Sequence, residues 1–178
     1  MGRSGHTWEV GTNRLVVMRH AKAEPYAQTD ASRPLTARGH EQAAAAGRFL
    51  ATHGVVPDHA LVSSALRTRQ TWEEVRTSCE FSGSEEVTDQ LYAASPAAVL
   101  ETVQLVPPSA STCLYVGHNP TAAHLAAGLD DGEADPEVLR GLLAGFPTSA
   151  MAVFEVPGPW AELGEGRARL THFYDGRG

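Results

Sequence analysis

Basic side chains follow three apolar runs of this sequence, each at the point where the run gives way to a helix-like segment. They are Arg19 and His20, which follow the run 15–18; Arg67, which follows 61–64; and His118, which follows 114–117. Because the carboxyl ends of parallel strands converge at one edge of an open α/β sheet, we expect these four side chains to surround one crevice. Two imidazoles and two guanidiniums suit a nucleophile inside an anion site, and the anion is most simply a phosphoryl group.

Two helix starts are expected to strengthen that anion site. We predict Ser64 as the N-cap of the helix that carries Arg67, and Asn119 as an N-cap with Pro120 at the first helical position. The helix dipole disfavours a cation in the first turn, so Arg67 is expected to face an anion. Free backbone N–H groups beside His118 would suit a phosphate.

Composition bounds the class of protein. The chain has 178 residues and 42% hydrophobic residues, which fits one domain with a substantial core. We expect residues 1–13 to form a loose extension and residues 14–178 to form the domain. A formal charge of −7 argues against general binding to nucleic acid or to anionic membranes. The oligomeric state is left open between monomer and dimer.

The sequence also lacks several marked signals. It has no 18-residue apolar stretch and no apolar signal core at its start, so we expect a cytoplasmic protein. Cys79 and Cys113 do not form a metal-binding spacing, and the histidines show no His-Glu-x-x-His pattern. We therefore expect no metal and no cofactor.

Strand-like and helix-like segments alternate along the chain. This order predicts an α/β fold, a three-layer α/β/α sandwich whose central sheet is mostly parallel and ends in a C-terminal hairpin. The predicted strands are 14–19, 60–63 and 112–117, with hairpin strands 150–156 and 168–173. The predicted helices are 37–53 after an N-cap at Thr36, 65–78, 96–106 after Ser95, 120–129 and 136–144. Residues 82–90 are predicted to be irregular, and the acidic stretch 130–135 a solvated loop.

Four motifs, taken together, carry a resemblance to a known family. They are Arg-His-Ala at 19–21, Arg-Pro-Leu-Thr at 33–36, Ser-Ser-Ala-Leu-Arg-Thr-Arg-Gln-Thr at 63–71, and Val-Gly-His-Asn-Pro at 116–120. Their order and spacing resemble the histidine phosphatase superfamily, and most closely its SixA-like phosphohistidine phosphatase branch. The resemblance implies that His20 is a phosphoryl-accepting nucleophile and that Arg19, Arg67 and His118 form a phosphate pocket without a metal. We expect His118 to be cationic when phosphate is bound.

The sequence departs from the family pattern at two places. Ala21 replaces the usual Gly of Arg-His-Gly, which fits if the backbone there has a negative φ. Larger members carry a Glu general acid roughly where this chain has Asp-Gln-Leu-Tyr at 89–92, so Asp89 is the candidate acid.

Three further residues are candidates for substrate binding. Lys22 either extends the anion site or is a solvated loop lysine. Arg33 either approaches the rim of the site or pairs with Asp30, and the second reading is favoured. Asn119 is a candidate through its place beside His118.

The substrate class follows from the length of one segment. Only 40 residues separate Thr71 from Thr112, too few for a large insertion over the site. An uncapped pocket admits a phosphorylated side chain of another protein, so hydrolysis of protein phosphohistidine is the first hypothesis. The alternatives are a broad phosphatase for sugar or nucleotide phosphates and, from a different class, a non-catalytic phosphate-binding module.

Overall fold

The computed structural model of the protein describes residues 11–177. Its centre is one sheet of six strands. They are β1 (Asn13–Arg19), β2 (His59–Ser63), β3 (Ser84–Thr88), β4 (Thr112–Gly117), β5 (Met151–Val156) and β6 (Arg169–Tyr174), in the spatial order β3-β2-β4-β1-β5-β6. Strands β1 to β4 pair in parallel, whereas β5 pairs antiparallel with both β1 and β6. The predicted α/β fold with a terminal hairpin is confirmed.

Within residues 11–177, five α-helices cover the two faces of the sheet. They are α1 (Ala37–Thr52), α2 (Leu66–Ser78), α3 (Pro96–Gln104), α4 (Thr121–Leu129) and α5 (Pro136–Leu143). The predicted caps of α1 and α3 are confirmed, since the side chains of Thr36 and Ser95 accept hydrogen bonds from backbone N–H groups in the first turn. The described residues contain no helix that is long and apolar enough to cross a membrane.

Alternation along β1 divides its side chains between two hydrophobic clusters. Leu15 and Val17 pack with residues of α3, α4 and α5, whereas Val16 and Met18 pack with residues of α1 and α2. This is the period-2 pattern of a strand that is buried on both faces. Burial on both sides holds the carboxyl end of β1, and therefore Arg19 and His20, in a fixed place.

Close contact between α1 and α2 depends on a glycine. A Cβ atom at Gly47 would lie 2.7 Å from the backbone oxygen of Val75 and 2.7 Å from the Cβ of Ser78. A larger residue there would push α1 and α2 apart. Because α2 carries Arg67 near its start, this packing also positions the site.

The segment 82–90 is not irregular as predicted. It contains the edge strand β3 and then a short 3-10 helix, Asp89–Leu91. Four of the five residues of β3 are exposed, so the strand has no apolar pattern and is held by its pairing with β2. The acidic stretch 130–135 is also not only a solvated loop, because Asp130 bridges to Ala168 and Asp135 caps α5.

Candidate active site

His20 follows β1 directly and is the more buried of the two predicted site histidines. Its backbone N–H donates to the carbonyl of Gly117 at the end of β4 (3.0 Å), which ties it to the neighbouring strand. Only 8% of the residue is exposed, and this burial lowers the pKa of the imidazole from 6.5 to about 3. The ring is therefore neutral at pH 7, as a nucleophile must be.

A hydrogen bond to the next residue selects the tautomer of His20. Nδ1 lies 2.7 Å from the carbonyl oxygen of Ala21, which can only accept, so Nδ1 carries the proton. Nε2 is then left with a free lone pair, and it is the nitrogen able to attack an electrophile.

The peptide of Ala21 is itself held by a buried threonine. Its N–H donates to Oγ1 of Thr71 at 3.0 Å, and that hydroxyl donates in turn to the carbonyl of Arg67 at 2.7 Å. Ala21 is not among the described residues with positive φ. An alanine therefore fits where the family pattern has glycine.

His118 lies beside His20, with 5.5 Å between the ring centroids. Its Nε2 is 2.7 Å from Oγ of Ser63, and its Nδ1 is 3.3 Å from Nη2 of Arg67. Since a guanidinium only donates, Nδ1 is the acceptor and Nε2 carries the proton. Burial and the charge of Arg67 lower the pKa of His118 to about 4, so this arrangement holds a neutral ring. The cationic form expected with phosphate bound stays a prediction.

Tyr115 and Gly117 fix the backbone that leads to His118. A Cβ at position 117 would lie 1.9 Å from the hydroxyl of Tyr115, so only glycine allows this approach. Burial raises the pKa of Tyr115, which keeps the phenol neutral while it interacts with the backbone of His118.

The two arginines supply buried donors. Arg19 donates through Nη1 to the carbonyl of Phe146 (3.1 Å), and Arg67, only 5% exposed, donates to Asp30. The Nε atoms of both arginines are buried and have no hydrogen-bond partner within the described part of the chain. An unsatisfied buried N–H of a cation is costly, and an anionic ligand would remove that cost.

Both predicted caps at the site are wrong by one residue. Ala65, not Ser64, is the N-cap of α2 and has no capping side chain, and Pro120, not Asn119, precedes α4. Arg67 nevertheless lies in the first turn of α2, as predicted. The side chain of Asn119 donates instead to the carbonyl of Phe146 at 2.8 Å, next to the contact from Arg19.

The remaining candidates, Lys22, Arg33 and Asp89, form no hydrogen bond with either imidazole within residues 11–177. Lys22 is exposed, and its ammonium forms no ion pair with any carboxylate in residues 11–177. Arg33 pairs with Asp30 at 2.9 Å, the favoured reading. Asp89 is an exposed residue that opens the 3-10 helix. Tyr92, from the same segment, is the residue that reaches the site, with its ring 5.6 Å from that of His118.

Sequence reasoning missed several contacts that shape the site. Asp30 binds Arg67 (3.0 Å), Ser63 binds His118, and the hydroxyl of Tyr92 donates to the Asp30 carboxylate. Ser63 lies inside the motif 63–71, at the end of β2, and this place at the sheet edge was a signal that could have identified it. Asp30 and Tyr92 lie in loops that carry no such signal.

This arrangement is suited to transfer of an anionic group. It holds a neutral nucleophilic nitrogen, a second imidazole, and two guanidiniums whose buried Nε–H groups have no partner in the described part of the chain. Phosphoryl transfer relies on such positioned positive charge. In residues 11–177, no three His, Cys, Asp or Glu side chains come together as a metal site.

Comparison with known proteins agrees with the fold and the motifs. Residues 15–90 match the family model of the histidine phosphatase superfamily, branch 1. Phosphohistidine phosphatase SixA of Escherichia coli is 30% identical over 141 residues, which cover 78% of this chain and 83% of that protein. The chain belongs to the histidine phosphatase superfamily, in its SixA-like branch, and is a phosphatase.

Solved structures give the same result. A SixA-named structure from Nakamurella multipartitia has a TM-score of 0.81 and 34% identity, covering 92% of this chain and 96% of that one. A mycobacterial glucosyl-3-phosphoglycerate phosphatase has a TM-score of 0.60 at 15% identity, covering 89% and 97% of the two chains. This second likeness concerns the fold alone.

Proposed function

We propose that this phosphatase works without a metal, through a phosphohistidine intermediate on His20, and that its substrate is phosphohistidine on another protein. The observation that carries the proposal is the hydrogen bond from Nδ1 of His20 to Ala21. It leaves Nε2 as the free nitrogen of a neutral ring, beside two arginines whose buried Nε donors have no partner among residues 11–177.

In the first step, Nε2 of His20 attacks phosphorus in line. The Nε2–P bond forms as the bond from phosphorus to the leaving imidazole breaks, and the electron pair stays on that imidazole. If the leaving ring is already protonated on its other nitrogen, it departs neutral. Arg19 and Arg67 stabilise the equatorial oxygens, because planar guanidiniums match phosphate oxygens well.

In the second step, water attacks phosphorus and the Nε2–P bond breaks. The products are free phosphate and neutral His20, with the proton of water carried off by phosphate or solvent. Splitting one transfer into two easier ones is the usual gain of a covalent intermediate. Proximity of His118 to His20 places a second imidazole where it could bind the transferred group.

Two features support a protein substrate. The segment between α2 and β4 is taken up by β3, a 3-10 helix and α3, which leaves no large insertion over the site within this described segment. Asp89 is exposed, and its side chain forms no hydrogen bond or ion pair within residues 11–177, so nothing holds it in place to protonate a poor leaving group. Phosphohistidine has less need of a proton donor. The SixA relative is named for the same reaction.

A small phosphate ester is the second candidate substrate. The same open pocket would admit it, and the mycobacterial relative of this fold is named for a small phosphate ester. The fold therefore does not distinguish the two substrates, and measured hydrolysis rates have to do so.

The test compares hydrolysis rates of a phosphohistidine-carrying protein, an aryl phosphate and several alkyl, sugar and nucleotide phosphates. We expect the phosphohistidine protein and the aryl ester to react much faster than alkyl esters, and Asp89→Asn to lower the phosphohistidine rate less than about tenfold, below the usual contribution of a general acid. Equal rates on alkyl and aryl esters, with a crippling effect of Asp89→Asn, would favour the small-molecule phosphatase. His20→Ala is the control for contaminating phosphatase.

A further inference from the structure

Asp30 receives five hydrogen bonds from three different parts of the chain. Its carboxylate accepts from Nη2 of Arg67 (3.0 Å), from Nε of Arg33 (2.9 Å) and from the hydroxyl of Tyr92. Its backbone carbonyl accepts from Nη1 of Arg67 (2.8 Å) and from the backbone N–H of Arg33 (3.3 Å). Asp30 opens the 3-10 helix Asp30–Ser32 in the connection between β1 and α1, so a loop residue is joined to the start of α2.

These bonds fix the direction of the Arg67 side chain. A guanidinium is planar and rigid, so two bonds at its terminal nitrogens leave it no freedom to rotate. Nη1 and Nη2 both donate to Asp30, and Nη2 also donates to Nδ1 of His118 (3.3 Å), whereas Nε has no partner within the described residues. The donors that remain for a ligand, Nε–H among them, are therefore held in one place before any ligand binds.

We propose that Asp30 is the positioning residue for Arg67 and that Tyr92 holds the Asp30 carboxylate in place. The inference rests on the proposed function, in which Arg67 stabilises the transferred phosphoryl group. Asp30 itself does not touch the substrate in this account.

Charge alone does not explain the contact. A carboxylate beside Arg67 repels a phosphate dianion and so weakens binding of substrate in the ground state. The Asp30 side chain is 55% exposed, and solvent screens much of its charge. Its geometric effect is not screened, since it acts through direct hydrogen bonds. Orientation of Arg67, with a modest loss of substrate affinity, therefore accounts for the contact.

Tyr92 connects this contact to the second imidazole. Its ring lies edge-on to His118, with 5.6 Å between centroids and 83° between planes. The neighbouring Asp30 carboxylate raises the pKa of the Tyr92 hydroxyl, which therefore remains a donor, while hydrogen bonds from Tyr92, Arg33 and Arg67 lower the pKa of Asp30. The pair thus stays in one protonation state through the neutral pH range.

A double-mutant cycle on an aryl phosphate tests the inference. Because misplacement of a catalytic group costs up to about 100-fold, Asp30→Ala should lower kcat about 10- to 100-fold. The same change in an Arg67→Ala background should alter kcat less than about threefold, because there is no guanidinium left to position. A purely structural role would lower Tm without this dependence on Arg67.

Asp30→Asn separates orientation from charge. Its amide oxygen can still accept from Nη2 of Arg67, so kcat should stay within about tenfold of native, while inorganic phosphate inhibits more tightly once the like charge is gone. Asp175→Asn is the matched control, because Asp175 is also a partly exposed aspartate paired with an arginine, Arg177, at 3.0 Å. It should change neither quantity.

Each result has one meaning. If Arg67→Ala lowers kcat but folded Asp30→Ala does not, or if the two losses simply multiply, the positioning role is wrong. If Arg67→Ala itself is fully active, the proposed function of the site fails instead. Should Asp30→Ala not fold, Tyr92→Phe replaces it in the cycle. Tyr92→Phe must then lower kcat at least about threefold in the native background and leave kcat unchanged in the Arg67→Ala background. If Tyr92→Phe does not lower kcat in the native background, the inference is wrong.

Discussion

Thr71→Val tests how the fold sets the reactive nitrogen of His20. The change keeps the shape of a fully buried side chain and removes its hydroxyl. That hydroxyl accepts from the N–H of Ala21 at 3.0 Å, and the carbonyl of Ala21 is the acceptor for Nδ1 of His20. The variant therefore releases the peptide of Ala21, whose carbonyl selects the tautomer of His20.

The expected effect has two parts. An N–H group left buried and unpaired costs about 1–3 kcal/mol of the free energy of unfolding. For a domain of this size each kcal/mol lowers Tm by about 2–4 °C, so the loss should be about 2–12 °C. Because the imidazole is also less well placed, kcat should fall about tenfold or more.

Thermal melts and steady-state kinetics on an aryl phosphate measure the two parts. Thr71→Ser keeps the hydroxyl and should retain kcat within about threefold, since the hydrogen bonds can re-form. The reasoning is refuted if Thr71→Val loses stability but keeps native kcat, because the Ala21 peptide would then be held by other contacts.

Three further outcomes are expected. Arg67→Ala should cost about 2–4 kcal/mol of transition-state stabilisation in kcat/KM, the scale of one preorganised donor. Arg67→Lys should recover little, because an ammonium cannot keep the Nη1 and Nη2 contacts to Asp30 and still present an Nε–H to phosphate; full activity of the lysine variant would contradict recognition by an oriented guanidinium. Histidines of the unfolded chain take up a proton near pH 6.5, whereas His20 and His118 do so near pH 3 and 4 in the folded protein. Unfolding below pH 6.5 therefore takes up protons, so the free energy of unfolding should be highest above about pH 6.5 and should fall toward pH 4. Melts of a variant with both histidines replaced by alanine should show a shallower fall, and an identical one would refute the assignment. Activity should survive exhaustive dialysis against EDTA, whereas a loss reversed by added metal would overturn a metal-free reaction.

Apolar runs made the central strands predictable. β1 and β4 are buried on both faces, so they appear as continuous apolar segments, and Thr36 marks the start of α1 by a local hydrogen bond. β3 gave no such signal, because an exposed edge strand is fixed by its partner strand and not by its own composition.

The site was predictable to the extent that it follows from topology. Strand ends converge in a parallel sheet, so Arg19, His20 and His118 could be placed together from the sequence. The tautomer of His20 depends on a backbone carbonyl, and the orientation of Arg67 on Asp30, a loop residue 37 positions away. The first contact joins adjacent residues, but every residue offers a carbonyl, so no residue type marks it; the second has no periodic or local signature. Asn119 shows the same limit, since its side chain serves the distant Phe146 carbonyl and not a helix cap.

Trapping the phosphoenzyme tests the central claim most directly. The enzyme is mixed briefly with ³²P-labelled substrate, quenched in alkali, and digested so that the labelled residue and the isomer of any phosphohistidine can be identified. We expect acid-labile, base-stable phosphate on Nε2 of His20, and none with His20→Ala, which should remain folded and lose turnover. Label on Nδ1, label on another residue, or substantial turnover by His20→Ala would contradict the account.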